Sequence, residues 1–509
     1  LLASGRQSDL VNAARALRHL GPGAYRPLRR LLDDPDPAGR RAALKSAPGV
    51  ADPRLVAVLV GLLNDPACRY RAGQALIAIG EPAIEPLASL LDDPDTPRPV
   101  RLEVPRLLRR IPRPGTVARL RNHVHSTDSH LRLRVFAALS SLRRELALPP
   151  EQLQFVQSLV EAEIAEARRN AAGWEPARAL YATPLLEEMF DVRRQRAVRR
   201  VLRILELRYD PDALRLVRQH LPDPARRANA LEVLDTLLDP PLRPVVMPFV
   251  DESGGRRLDA ALAVSPSEFI TAHCRHPNPY VALLALDALA RRNDPLGSQA
   301  GVELLAHPDA LVREGAIHAL AASDPKRAAT ALVPLLEDPD PVVAAHAARA
   351  LARVTGRPLP ERPMYSTIEK VLFLKSAPVF ERVNGEDLAP LARVAEVEIY
   401  SPGQVIMKEG EIGDALYVVI RGQVSISHND QVLATLGPGD AIGEMAVLDS
   451  VPRSATATAL TEVEALRIGS EEFYEILHEQ VEIAEGVIRM LCARLRDADS
   501  RLAARAGAA

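Results

Sequence analysis

The sequence predicts a mainly α protein: an α-solenoid of short helical repeats, followed by a smaller α+β domain in which helices flank a β-roll. Three observations predict it. A phrase built on Leu-Leu-x-Asp-Pro-Asp recurs through the first two-thirds of the 509 residues. Only 4% of residues are aromatic, while Ala, Leu and Arg abound, a composition suited to packed amphipathic helices. From Val394 onward the helical period gives way to alternation broken by glycines. A chain of this length exceeds one compact core, so two or more units are expected.

The recurring phrase opens at Leu31–Leu32, Leu62–Leu63 and Leu90–Leu91, and returns around His273, Leu304–Leu305 and Leu335–Leu336. Pro277, Pro308 and Pro339 stand 31 residues apart, as do Pro35 and Pro66. A fixed period in this range marks an array of stacked units. In each unit a first helix ends in Leu-Leu and Pro stops it, because the residue before Pro is pushed out of the helical region. Asp or Asn then caps the second helix, whose small Ala residues allow close packing. No pair buries its apolar face alone, so stability grows by stacking. The pattern resembles the HEAT family of helical repeats, which implies an interaction scaffold over residues 1–354 with a protein partner.

Between about residues 148 and 251 the period is distorted by longer helices. Pro149-Pro150 opens one, and a second is expected over Arg193 to Tyr209. On that second helix Arg193, Arg196, Arg200 and Arg203 share one face, with Val198, Val201, Leu202 and Leu205 opposite. The expectation is a solvated face; the alternative is contact with phosphates of lipid or nucleic acid. A repeat-like helix resumes at Arg226 to Leu231. Residues 355–364 form a Pro-rich hinge. Ser366 and Glu369 then make a capping box for a helix carrying Ile368, Val371, Leu372 and Leu374.

Strands are expected at Val397–Tyr400, Leu416–Ile420, Gln423–Ser427 and Gln431–Leu436. Gly403, Gly410, Gly413, Gly422, Gly437 and Gly439 are read as positive-φ turn positions. The next stretch runs Ile442-Gly443-Glu444-Met445-Ala446-Val447-Leu448, then Pro452-Arg453-Ser454-Ala455-Thr456. Gly443 lets backbone approach an anion, a short helix from Glu444 to Leu448 would aim free N–H groups at it, and Arg453 can pair with a phosphate. The region from Glu471 to Ala504 reads as helix again.

Together Pro-Gly, Gly-Glu-x-Ala and Pro-Arg-Ser-Ala resemble the cyclic-nucleotide-binding domain, over residues 365–509. The resemblance implies a β-roll with flanking helices and a site at Ile442, Gly443, Glu444, Met445, Ala446, Arg453, Ser454 and Ala455. It implies Glu444 on the ribose 2′-hydroxyl, and Arg453, the Ser454 hydroxyl and the Ala455 N–H on the cyclic phosphate. The ligand would be cAMP or cGMP, with a slight preference for cAMP. Asp497 or Asp499 could contact the purine, or could lie on a solvated face beside Arg496 and Arg501. A domain of this fold can also serve as a ligand-free adaptor. The helix from Val481 to Leu502 would close over the site as a lid.

No Gly-rich phosphate loop, nucleophile elbow or catalytic carboxylate pair is present, so the chain is not expected to be an enzyme. His123-Val124-His125 lacks a third ligand at metal spacing and reads as an interrepeat turn. No metal and no cofactor are expected. Three widely spaced cysteines and the short longest apolar run, Leu55 to Leu63, favour the cytoplasm, with attachment at the inner face of a membrane left open. A formal charge of −2 gives no global pull on polyanions. Few residues follow Leu502, so no DNA partner is expected. The stretches Arg199 to Leu205, Tyr209-Asp210-Pro211 and Arg227 to Glu232 resemble the cytosolic part of bacterial ATP/ADP-carrier-like proteins. That resemblance implies a membrane domain N-terminal to Leu1.

Overall fold

In the computed structural model the described residues are 12, 16–17, 19–33, 37–251, 265–358, 363–429, 431–443, 452–479, 483–484, 487–488, 492 and 496. They separate into two compact units, Leu1–Ala172 with Arg193–Ala260, and Gly173–Val192 with Ala261–Ala509. The helices are α1 (Tyr25–Leu32), α2 (Pro37–Val50), α3 (Val56–Gly61), α4 (Pro66–Ile79), α5 (Ile84–Asp92), α6 (Arg98–Leu108), α7 (Pro114–Arg121) and α8 (Ser129–Glu145). Then come the long α9 (Leu153–Tyr181) and α10 (Pro184–Leu205), followed by α11 (Pro211–His220), α12 (Arg227–Leu237) and α13 (Arg243–Asp251). The later repeats supply α14 (Pro266–His273), α15 (Pro279–Arg291), α16 (Pro295–Leu304), α17 (Ala310–Ser323), α18 (Pro325–Ala331) and α19 (Pro341–Thr355). No described helix is long and apolar enough to cross a membrane.

The caps follow the sequence. Asn278, Asp309 and Asp340 sit in extended backbone, and their carboxyl or amide oxygens accept from Tyr280 N (3.0 Å), Leu311 N (2.9 Å) and Val342 N (3.0 Å). Two Leu-Leu ends tighten into 3₁₀ turns, Leu62–Asn64 and Val333–Glu337, rather than finishing as α-helix. His123 lies in the turn after α7, 3.2 Å from Asp92. Trp174 stacks on Phe190 with ring centroids 4.2 Å apart.

One device repeats without a counterpart in the sequence reading. An arginine near the start of a second helix reaches back six residues to a main-chain carbonyl at the end of the first or in the turn that follows it. The pairs are Arg69 to Leu63, Arg132 to Ser126, Arg227 to Leu221 and Arg313 to His307, at 2.6–3.1 Å. Such carbonyls lack partners within their own helix. Arg313 also forms two bonds with Asp338 of the next repeat (2.7 and 2.8 Å), and Arg132 does the same with Glu163.

The arginine face of α10 is a correction. Its solvated reading fails at Arg200, which is buried and donates to Glu163 Oε2 at 2.6 Å. Arg203 pairs with Glu206 at 2.8 Å and Arg196 meets His130. These side chains lie where the helix packs, met by Glu163 of α9, Glu206 just past α10 and His130 of α8.

In the second unit, α20 (Thr367–Ser376) and α21 (Gly385–Val394) precede the strands, and α22 (Ser470–Glu479) follows them. The capping box of Ser366 and Glu369 forms as expected. Ile368, Val371 and Leu374 of α20 are buried while Leu372 is exposed. One core joins these residues to Leu416, Val418, Leu466 and Ile468 of the sheet and to Leu283, Leu286, Val312 and Ala316 of the repeats. Polar ties reinforce it. Lys375 Nζ lies 2.7 Å from Glu188, which also accepts from Gly385 N at 3.0 Å. Asn278 donates to Glu386 at 2.6 Å, and Arg393 pairs with Asp340.

Glu163 generates a prediction. Burial pushes its carboxyl pKa up, but Arg200 and Arg132 outweigh burial and hold it below the usual carboxylate range. A lowered folded pKa means stability present above the unfolded pKa of about 4.3 and lost as pH falls through the folded value. Glu163→Gln leaves the buried Arg200 without its counter-charge and Arg132 with Glu166 alone, and is expected to cost about 3–5 kcal/mol in urea unfolding at neutral pH. The deficit should shrink as the wild type is titrated below about pH 4.3.

Candidate functional site

The C-terminal domain builds its site from two antiparallel four-stranded sheets. Their strands are β1 (Glu396–Tyr400), β2 (Val405–Met407), β3 (Ala415–Arg421), β4 (Val424–His428), β5 (Gln431–Leu436), β6 (Ala441–Ile442), β7 (Thr456–Ala459) and β8 (Val463–Gly469). One sheet runs β1-β8-β3-β6 and the other β2-β7-β4-β5. Tyr400, Tyr417, Val419, Val424, Ile442, Ala457, Val463 and Ala465 share one buried cluster. The four expected strands are present. β2 and β6 to β8 were not foreseen.

Arg453 is the centre of the arrangement. Its residue is 5% exposed, and its guanidinium donates to the main-chain oxygen of Gly443 at 2.9 Å and to that of Ala415 at 2.5 Å. The Arg453 backbone is clamped to the turn before β3: Arg453 N donates to Glu411 O at 2.8 Å, and Gly410 N to Arg453 O at 2.9 Å. Three stretches therefore meet at one residue: the start of β3 and the end of β6 at its guanidinium, and the turn before β3 at its backbone. A guanidinium with its donors fixed by carbonyls is a rigid, planar anion receptor.

Gly443 is required here twice over. Its φ is +82°, a conformation that side-chain-bearing residues rarely adopt. A Cβ would stand 2.1 Å from Arg453 Nη1 and 3.3 Å from the Ala415 oxygen. Of the turn glycines, Gly403, Gly410, Gly422 and Gly439 also have positive φ, whereas Gly437 does not, so that part of the expectation is corrected.

Ile442 is buried, pairing with Tyr417 across β3 and β6. Ser454 is exposed and Ala455 buried, both adjoining Arg453. Sequence reasoning missed the support beneath Ser454. His428 Nδ1 lies 3.2 Å from the Ser454 main-chain oxygen and 3.0 Å from Glu409, which also accepts from Asn429 N at 3.0 Å. Asn429 has φ +47°, and an Asn at a hairpin tip was the available signal. Glu444, Met445, Ala446, Asp497 and Asp499 lie outside the described residues, as does most of the expected lid. Among the described residues no group of His, Cys, Asp and Glu could hold a metal ion.

Residues 397–480 match the cyclic nucleotide-binding domain family, and residues 25–99 and 267–352 match HEAT repeats. The chain carries helical repeats followed by a cyclic nucleotide-binding domain. It is 32% identical over 135 residues to a CRP-like cAMP-activated global transcriptional regulator of Mycobacterium tuberculosis, covering 26% of this chain and 60% of that protein. It is 36% identical over 112 residues to a cAMP-dependent protein kinase regulatory subunit of Eremothecium gossypii, covering 22% and 24%. Among solved structures, the Thermus thermophilus catabolite activator protein is 31% identical with a TM-score of 0.24, covering 26% of this chain and 63% of that one. The chain thus spans no more than about two-thirds of these proteins, and the likeness covers about a quarter of its own length.

Gly443→Ala tests the geometry. Strain at a positive φ, together with displacement of the guanidinium, is expected to cost about 1–3 kcal/mol. Thermal unfolding that is unchanged by the substitution would contradict the close approach of Gly443 and Arg453.

Proposed function

We propose that the chain is a cyclic-nucleotide-sensing regulatory module, binding cAMP ahead of cGMP and coupled to its repeats, with no catalytic role of its own. The observation that carries this reading is the buried Arg453 guanidinium, oriented by the Gly443 and Ala415 carbonyls inside the matched family region. Arg453 would meet the cyclic phosphate beside the Ser454 hydroxyl and Ala455 N–H, and Glu444 the ribose 2′-hydroxyl. Similarity to a cAMP-activated regulator and to a cAMP-dependent kinase regulatory subunit favours the adenine nucleotide. By its resemblance to carrier-like proteins, the responding partner would be a membrane domain N-terminal to Leu1.

The second unit offers a physical route for coupling. Glu314 of α17 is 1% exposed and accepts from Thr367 N and Thr367 Oγ1 of α20, each at 2.7 Å. A carboxylate there also complements the positive end of α20. A shift of α20 on ligand binding would therefore pull directly on a repeat helix, and the affinity for nucleotide must depend on the repeats in return.

Calorimetry on the full chain should detect cAMP binding, weakened about ten- to a hundredfold by Arg453→Ala through loss of a charge-assisted bond. Equal affinity in a folded Arg453→Ala protein would sink the phosphate assignment. Hydrogen exchange supplies the coupling test. Adding cAMP should change exchange in α17, and Glu314→Ala should confine the change to the C-terminal domain. Identical exchange in α17 with and without bound cAMP would show that the repeats do not respond.

A further inference from the structure

The first unit carries a surface that the nucleotide site does not use. Helix α6 with the turn that ends it, and helices α8, α10 and α11, bring seven arginines into one neighbourhood: Arg106, Arg109, Arg110, Arg134, Arg199, Arg203 and Arg218. Two ties fix the order of these helices. Arg98 at the start of α6 is 2.6 Å from Asp128, the cap of α8. Arg143 of α8 donates at 2.6 and 2.7 Å to the Glu206 and Tyr209 carbonyls that follow α10. Arg199 and Arg203 lie one turn apart on α10 and share a face, while Arg109 and Arg110 close the C-terminal end of α6 beside Arg106.

The charge is unbalanced. Glu103 pairs with Arg106, and the buried Glu206 serves both Arg203 and Arg218. Among the described residues the guanidiniums of Arg109, Arg110, Arg134 and Arg199 make no hydrogen bond or ion pair. Seven guanidiniums against two carboxylates leave a surplus of five positive charges. Arg109 registers the strain: burial, and then Arg106, Arg110, Arg203 and Arg134, push its pKa down. A like-charged, partly desolvated cluster is costly in isolation and relaxes when an anion docks.

We propose that this arginine surface of the first unit is a docking site for an acidic, Asp/Glu-rich segment of a partner protein. Carboxylate chemistry already fits the surface, since the two anions seated in it are the side chains of Glu103 and Glu206. Guanidiniums match carboxylates by bidentate bonds. Nucleic acid is disfavoured by the lack of a stacking platform. The four helices expose no aromatic ring for base stacking, Phe136 and Phe190 being buried. The chain's formal charge of −2 supplies no long-range pull on nucleic acid or peptide, so recognition rests on this local cluster.

The probe is a synthetic peptide alternating Glu and Gly, titrated into the full chain by fluorescence anisotropy. Parallel arms use duplex DNA and phosphatidylglycerol vesicles. The expected result is salt-sensitive peptide binding that weakens by at least about tenfold in the triple variant Arg109→Glu, Arg134→Glu, Arg199→Glu. A matched variant with reversals at the exposed Arg327, Arg353 and Arg382 of the other unit carries the same net charge and should bind as the wild type does. If the first triple variant unfolds, the corresponding Gln substitutions read the same outcome with less repulsion. Absence of peptide binding overturns the proposal, as does equal loss in the matched variant. Preferential binding of DNA or vesicles that is lost in the first variant would assign the surface to phosphates instead.

Discussion

An arginine in the opening turn of a repeat's second helix closes its own repeat and reaches for the next. Helices end with carbonyls that have no partner in the helix, and a short interrepeat turn buries them. Arg69, Arg132, Arg227 and Arg313 each supply a donor to such a carbonyl six residues back. The guanidinium has donors to spare, and in Arg132 and Arg313 these meet Glu163 and Asp338 of the following element. Turn closure and repeat stacking thus rest on the same side chain. Leucine and alanine provide the bulk of the burial, but they do not specify where one repeat ends.

The same economy of contacts governs the second unit. Its last repeats and its β-roll share a continuous apolar core, in which Leu283 and Val312 belong with Leu416 and Ile468. Burial of a polar group inside such a core is tolerated only when its bonds are made. Glu314 satisfies that condition through Thr367, which is why a single repeat carboxylate can define the start of α20. The nucleotide site lies in a domain whose first helix is held by residues of the repeat array.

Much of this was legible in the sequence, and the limits have physical causes. Local signals read true: the interval of the prolines, the caps at Asn278, Asp309 and Asp340, the capping box at Ser366, and the glycine beside the arginine of the cassette. Long-range pairing did not read. Periodicity places Arg200 on a polar helix face, but nothing local announces that Glu163, on another helix, will meet it. Strand β8 escaped because it lies between β1 and β3 and is buried on both faces, so the alternation that marks a half-exposed strand is absent. β6 is two residues long and carries no pattern at all. At the candidate site, Gly443 and Arg453 were suggested by their types, whereas the Ala415 carbonyl that aims Arg453 has no side-chain signature.

The clash between a Cβ at position 443 and the guanidinium of Arg453 has an evolutionary corollary. The two positions form one inheritable unit, since a bulkier residue at the first removes the space the second needs. A descendant that abandoned the ligand would be free to change both, but a descendant that kept only one would carry strain without recompense. Across lineages Gly443 and Arg453 should therefore persist together or vanish together, and a chain that has lost one can be read as a domain on its way from receptor to spacer.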